Sequence, residues 1–292
     1  MHKIFDAHCH SSPTTRETKY KIDNQEYVLA KQNISINPDI VPELICSADN
    51  LHFVHFDEAE KNKVSLRCAG CGKNLQTNVK DPFLKPNITL IEHLPQGCNV
   101  FIMPALTNSS VNYSIEYLLE KYPHKVAGIK LYSGKTNTLL NEIKSFDYNL
   151  PLLIHTGTFP NQDPKNMIKF LQKYDGPICL AHFARFEPSA MKLAKELDNI
   201  YVDTCPAKYM HKRYIEQKFS GAKGFFDEKG LKKAEDLYLK LIDLVGIDKV
   251  LWGSDFPICN TAEELEVVHN LDISKRDKKK ILWQNAQEFM EK

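Results

Sequence analysis

Asp6-Ala7-His8-Cys9-His10 is the stretch of this chain richest in reactive side chains. Side chains alternate faces along a strand, so His8 and His10 project one way and Cys9 the other. Two imidazoles on one face at a strand end make half of a metal site, with two incidental histidines as the plainer reading. Three further apolar runs close on residues of the same kind. His155 follows Pro151-Leu152-Leu153-Ile154, His182 follows Pro177-Ile178-Cys179-Leu180-Ala181, and Asp255 follows Val250-Leu251-Trp252-Gly253-Ser254. Any one of them alone reads as a satisfied core residue. Four histidines and an aspartate at the C-terminal ends of parallel strands instead converge on the mouth of a barrel. Imidazole and carboxylate donors suit Zn²⁺, Mn²⁺, Fe²⁺ or Ni²⁺ better than Mg²⁺ or Ca²⁺, which prefer oxygen shells.

The elements that must position these residues are legible as short apolar runs alternating with helical patterns. Strands are expected at Lys3–Cys9, Asn99–Pro104, Val126–Leu131, Leu152–His155, Ile178–His182, Ile200–Asp203 and Val250–Trp252. Helices are expected at Ser114–Lys121, Thr138–Lys144, Pro164–Lys173, Pro188–Leu197 and Gly230–Leu244, with an amphipathic tail from Ser274 capped in the Ser274/Asp277 spacing. Such alternation means βα units and a parallel sheet buried on both faces. The fold class is α/β, a (β/α)₈ TIM barrel, with the eighth strand somewhere in the less regular stretch before Asn99. A doubly wound sheet is the alternative, but the Gly-rich phosphate turn expected after its first strand is missing. Residues 11–98 break the rhythm and read as an insertion after the first strand. Residues 1–292 form a single barrel domain, and residues 40–80 form a ribbon-like insertion within it.

Composition narrows the classes. With 38 Lys+Arg against 37 Asp+Glu in 292 residues, the chain has no field to attract nucleic acid. Runs such as Val100–Leu106 fall far short of the roughly 20 apolar residues of a membrane helix, which argues against a membrane span. Met1-His2-Lys3 leads straight into a strand without a signal-peptide pattern, so the default compartment is the cytoplasm. The expected partner is a small-molecule substrate. Assembly as a homo-oligomer stays open.

The ordered motifs resemble the amidohydrolase superfamily, in its amidohydrolase-related (amidohydrolase 2) branch. They are His8-Cys9-His10, Gly128-Ile129-Lys130-Leu131-Tyr132, Leu153-Ile154-His155-Thr156-Gly157, Leu180-Ala181-His182-Phe183, Leu251-Trp252-Gly253-Ser254-Asp255-Phe256-Pro257 and the tail Ile281-Leu282-Trp283-Gln284-Asn285-Ala286. The resemblance covers roughly residues 1–10 and 99–290 and departs over residues 11–98. It implies that His8, His10, His155 and Asp255 bind metal, and that Asp255 or His182 handles the proton of a metal-bound water. A divalent metal lowers the pKa of bound water toward roughly 7.

Lys130 has three readings. Carboxylated by CO₂ it becomes a carbamate bridging two metals, as at the corresponding strand end of dihydroorotase-like relatives, in which case His182 also serves as a ligand. It stays cationic and holds a substrate carboxylate, or it snorkels out of the barrel end. Arg185 is a second candidate for a substrate carboxylate, with a surface loop as its plainer reading. Lys208, His211, Lys212 and Arg213 hint weakly at an anionic substrate or a lid. Cys68-Ala69-Gly70-Cys71-Gly72 resembles one knuckle of a zinc ribbon. Cys46 is the nearest upstream partner, and His52, His55 or a later residue would complete a structural Zn²⁺.

The expected activity is metal-dependent hydrolysis of a C–N or ester bond in a small molecule, with one or two ions of Zn²⁺ or another divalent transition metal in the barrel. The alternatives are a metal-dependent non-oxidative decarboxylase sharing the same ligands, and a non-catalytic metal-binding or interaction protein.

Overall fold

The computed structural model describes residues 1–11, 16–36, 83–94, 97–104, 111–133, 140, 148–215 and 231–292. Eight parallel strands follow one another round a nearly closed barrel: β1 (His2–His10), β3 (Gln25–Ser35), β4 (Cys98–Ile102), β5 (Val126–Leu131), β6 (Leu152–Ile154), β7 (Ile178–Leu180), β8 (Ile200–Asp203) and β9 (Val250–Leu251). A short β2 (Lys19–Ile22) pairs antiparallel with β3 on the outside of this order. At the seam, the chain leaving β9 binds β1 through backbone hydrogen bonds. Ala7 N–H donates to Trp252 O at 3.0 Å, Asp255 N–H to His8 O at 3.0 Å, and His10 N–H to Phe256 O at 2.7 Å.

β3 is the eighth strand expected before Asn99, and it corrects the reading of residues 11–98 as an insertion from the first strand onward. Its sequence mixes Glu26, Lys31, Gln32 and Asn33 with apolar residues, so it lacks the continuous apolar run that marks the other strands. The same stretch also holds α1 (Leu84–Glu92). The ribbon-like segment 40–80, with Cys46, Cys68 and Cys71, lies outside the described residues, as does the expected helix over 138–144 apart from Leu140.

The remaining helices are α2 (Val111–Lys121), α3 (Ile168–Leu171), α4 (Pro188–Glu196), α5 (Ala207–Ile215), α6 (Ala234–Val245), α7 (Thr261–Asn270), α8 (Lys275–Lys279) and α9 (Asn285–Glu291). The helix expected over Pro164–Lys173 is instead a 3₁₀ turn, with Asp163 accepting from Lys165 N–H, followed by the single turn of α3. The tail is capped as expected, Ser274 Oγ accepting from Asp277 N–H at 3.1 Å, but a π-helical turn at Lys280–Gln284 separates α8 from α9. No helix among the described residues is long and apolar enough to cross a membrane.

Two apolar layers result from strands buried on both faces. The larger lies between barrel and helices. The smaller fills the barrel interior with Phe5, Ala7, Phe101, Leu153, Cys179, Ala181, Tyr201 and Leu251, and α9 adds Ala286 and Phe289 to it. Interior side chains recur every second residue, so this plug predicts what stands above it. Leu153 is followed two residues on by His155, Tyr201 by Asp203, and Leu251 by Gly253 and then Asp255. On β1 the register against β3 slips between Asp6 and Cys9. This bulge lets Ala7 lie in the plug while His8 and His10 still face the interior and Cys9 packs in the outer layer.

Candidate metal centre and active site

His8, His10, Lys130, His155, His182 and Asp255 all meet at the C-terminal ends of the strands. His8, His10 and Lys130 are the interior residues ending β1 and β5. His155 is the first residue beyond β6, and His182 lies two residues past β7. His182 opens a left-handed turn in which Phe183, Ala184, Arg185 and Phe186 also have positive φ, between 44° and 58°. That turn, not a strand continuation to His182, ends β7.

The imidazoles are fixed by their outer nitrogens, and their tautomers follow from what those nitrogens meet. His8 Nδ1–H donates to Asp203 Oδ2 at 2.8 Å. His10 Nδ1 lies 3.1 Å from Ile36 O, a carbonyl that can only accept. His182 Nδ1–H donates to Cys205 O at 2.9 Å. In its neutral form each of these rings carries its lone pair on Nε2, that of His8 and His10 turned toward Asp255 and that of His182 toward His155. His155 Nδ1–H donates to His182 Nε2 at 3.0 Å, and Tyr132 packs edge-on against His155 with ring centres 4.7 Å apart.

Two sets of ligand-type atoms lie within 4.8 Å of one another among the described residues. In the first, His10 Nε2 is 3.2 Å and His8 Nε2 3.6 Å from Asp255 Oδ1. Lone pairs converging on a carboxylate oxygen repel unless a cation lies between them, whether a proton or a metal. The donor set of His8, His10 and Asp255 therefore fits a divalent ion, and His155 stands outside it, bound to His182. In the second, His8, His182, Asp203 and Cys205 already satisfy one another. Asp203 accepts from His8 Nδ1–H, from His182 N–H at 2.8 Å and from Cys205 N–H at 3.3 Å, while burial and the Asp203 charge push the Cys205 thiol up and keep it protonated. That set orients the first.

Electrostatics agree with this division. Burial, then the Lys130 charge, lowers His8 well below the ordinary imidazole value, and burial with His182 and Lys130 does the same to His155. Both stay neutral, as metal ligands must. Burial would raise Asp255, and it is held well below the usual carboxylate range only where positive charge faces it from His10, His8 and His182, the charge that a cation between them would supply. Asp203 is raised by burial.

Lys130 is fully buried, with Nζ 2.7 Å from His8 Nε2, which rules out the snorkelling reading. Burial lowers its pKa. Arg185 is half-buried in the left-handed turn. Lys208 pairs with Glu266 at 2.6 Å in an exposed ion pair, the arrangement of a solvated helix face. Cys46, Cys68 and Cys71 lie outside the described residues.

Sequence reasoning missed Asp203, Cys205, Asp6 and Arg16. Asp203 carries the same signal that marked the histidines, a ligand-type residue closing the apolar run Ile200-Tyr201-Val202.

The amidohydrolase family model matches residues 144–290, about half of the chain. Gamma-resorcylate decarboxylase from Polaromonas sp. strain JS666 is 26% identical over 165 residues, 54% of this chain. That covers 49% of the relative, so the chain spans about half the length of the curated relative it matches. Among solved structures, 5-carboxyvanillate decarboxylase from Novosphingobium aromaticivorans DSM 12444 was complexed with manganese and 4-hydroxy-3-methoxy-5-nitrobenzoic acid. It superimposes with a TM-score of 0.51 at 17% identity, covering 91% of this chain and 77% of that one. Dihydroxybenzoic acid decarboxylase from Polaromonas sp. JS666, with bound manganese and 2-nitroresorcinol, gives 0.52 at 13% identity, covering 90% and 82%. At such identities the two structures establish the fold.

Proposed function

This chain belongs to the amidohydrolase family, and on that premise we propose that it is a divalent-metal-dependent enzyme that decarboxylates a small aromatic carboxylate without net oxidation. The sequence alone favoured hydrolysis. The observation that moves the reading to its rival is the likeness to decarboxylases, by sequence to the curated relative and by fold to both solved structures. Hydrolysis stands as the second reading because of Lys130, whose buried amine beside His8 is where a bridging carbamate would form.

His8, His10 and Asp255 would hold the ion, with His155 joining them once its bond to His182 opens. When bound, it supplies Lewis-acid polarisation of a substrate oxygen. The carboxylate of this set suits manganese and its imidazoles suit zinc, which nitrogen donors bind more tightly. The rest of the work falls to the chain's own groups. As the C–C bond to the carboxylate breaks, its electron pair stays on the ring carbon, CO₂ leaves, and that carbon takes one proton. His182 is the carrier we assign. Its Nδ1–H stays on the Cys205 carbonyl, so a proton gained or lost moves through Nε2 once the His155 Nδ1–H bond to it opens. Lys130, kept cationic by the Asp203 and Asp255 charges against the effect of burial, would turn from His8 Nε2 to the substrate carboxylate once that nitrogen holds the ion. Asp255 would stay ionised as the anionic member of that set.

The test is a screen of aromatic carboxylates, amides and lactones with protein loaded with Mn²⁺. Metal-dependent CO₂ release with the decarboxylated arene as product is expected, while amide or lactone cleavage without CO₂ would establish the second reading. Replacing His8, His10 and Asp255 together by Ala should remove the barrel metal. Unchanged barrel metal content in that variant would refute the ligand assignment.

A further inference from the structure

We propose that Arg16 is a positioning residue for Asp255, acting through Asp6 and Ser254; the inference rests on Asp255 being a working group of the proposed centre. Asp255 has φ 55°, a left-handed backbone that strains any residue with a Cβ, so its neighbours must hold it there. Ser254, the residue before it, is gripped at both of its polar groups. Its N–H donates to Asp6 Oδ1 at 3.0 Å and its hydroxyl donates to Asp6 Oδ2 at 2.5 Å. The same hydroxyl oxygen accepts Phe256 N–H at 3.1 Å, and Asp6 Oδ1 also accepts His8 N–H at 3.2 Å. One carboxylate thus ties the turn that presents Asp255 to the strand that presents His8.

Asp6 is fully buried, and a buried carboxylate needs a counter-charge. Arg16 provides it. Its Nη2 donates to Asp6 Oδ2 and reaches Ser254 Oγ at 2.9 Å and Thr261 Oγ1 at 3.1 Å, while Nη1 donates to Gln32 Oε1 at 2.8 Å. The guanidinium carbon lies 4.9 Å from the centre of the Phe256 ring. A single planar group therefore joins β1, β3, both neighbours of Asp255 and the first residue of α7. A lysine could neutralise Asp6, but its one ammonium cannot span Gln32, Ser254 and Thr261 or cover the Phe256 face. The role of Arg16 is therefore geometric, and charge alone does not replace it.

Arg16→Lys and Arg16→Ala, made in the full chain, test this by Mn²⁺ titration, thermal unfolding and crystallography. Arg16→Lys should melt within a few degrees of wild type yet bind Mn²⁺ about 10- to 100-fold more weakly, the usual effect of removing a group that orients a ligand. Its crystal structure should show Asp255 withdrawn from hydrogen-bond reach of His10. Arg16→Ala should be weakened at least as much, and millimolar methylguanidinium should restore about tenfold of the loss where urea at the same concentration does not. Wild-type Mn²⁺ affinity in Arg16→Lys with Asp255 still left-handed beside His10 would overturn the proposal. Should the wild-type protein bind no Mn²⁺, the metal reading fails by itself, and an unmoved Asp255 in the Arg16→Lys crystal would still overturn this one.

Discussion

Replacing Asp203 by Asn should weaken metal binding at the proposed centre without touching a proposed ligand. Asp203 is fully buried and divides its oxygens between two tasks. Oδ1 takes the backbone N–H groups of His182 and Cys205, at 2.8 and 3.3 Å, and Oδ2 takes His8 Nδ1–H at 2.8 Å. An Asn side chain of the same shape must keep its carbonyl on the two backbone donors, which cannot change. Its NH₂ then faces His8 Nδ1, and that ring can accept the bond only by moving its proton to Nε2. The lone pair aimed at the centre is lost, although no atom has moved. A hydrogen bond to a charged group contributes about 1.5–3 kcal/mol. If that is the energy holding the tautomer, Mn²⁺ affinity should fall by about 10- to 150-fold, overlapping the roughly 10- to 100-fold loss seen for groups that orient metal-bound histidines. Calorimetric titration with Mn²⁺ measures the affinity, and ¹⁵N chemical shifts of the His8 ring report which nitrogen carries the proton. A variant that binds Mn²⁺ within twofold of wild type, with Nδ1 still protonated, would refute the argument.

Three other perturbations test separate parts of the account. His182→Asn should lower kcat about 100-fold or more with metal content unchanged, since it removes the proposed proton carrier but no proposed ligand; a wild-type rate removes His182 from the mechanism. Glu264 accepts Ala207 N–H at 2.7 Å and Lys208 N–H at 3.2 Å at the start of α5, yet burial pushes its carboxyl up to about 7. Because the folded chain holds that proton after the unfolded chain has released it, the Glu264 contribution to stability should fall by roughly 3 kcal/mol as pH rises from about 4.5 to 7, against the opposite contribution of His8 and His155, which fold neutral. The stability difference between Glu264→Gln and wild type in urea unfolding should therefore change between pH 5 and 8, and a difference that stays constant would show that Glu264 does not titrate there. Ala184 is held at φ 44° in the left-handed turn. Ala184→Gly should leave the melting temperature unchanged or raise it, whereas Ala194→Gly within α4 should cost about 1 kcal/mol or more. Equal losses in the two variants would show that the turn is unstrained.

The α/β barrel was legible because parallel strands buried on both faces must be written as continuous apolar runs, as in Leu152–Ile154, Ile178–Leu180 and Ile200–Asp203. The ligand-type residues were legible because a barrel brings its strand ends to one mouth, so His8, His10, His155, His182 and Asp255 could be assembled without knowing a single distance. β3 escaped because its polar residues interrupt the run, and the left-handed turn after Leu180 escaped because Phe183-Ala184-Arg185-Phe186 contains none of the glycines that usually announce such a backbone.

What tertiary structure alone decided is the orientation of the site. Asp203 meets His8 across 195 residues of chain, and Asp6 meets Ser254 across 248. A ligand is chosen by its own donor atom, which is written in its residue type. The group that turns that atom toward the centre is chosen by where a distant strand ends, and no local pattern carries that information. Lys130 shows the same limit. Its place at a strand end was readable, but its complete burial and its 2.7 Å approach to His8 depend on how the barrel closes at the β9–β1 seam.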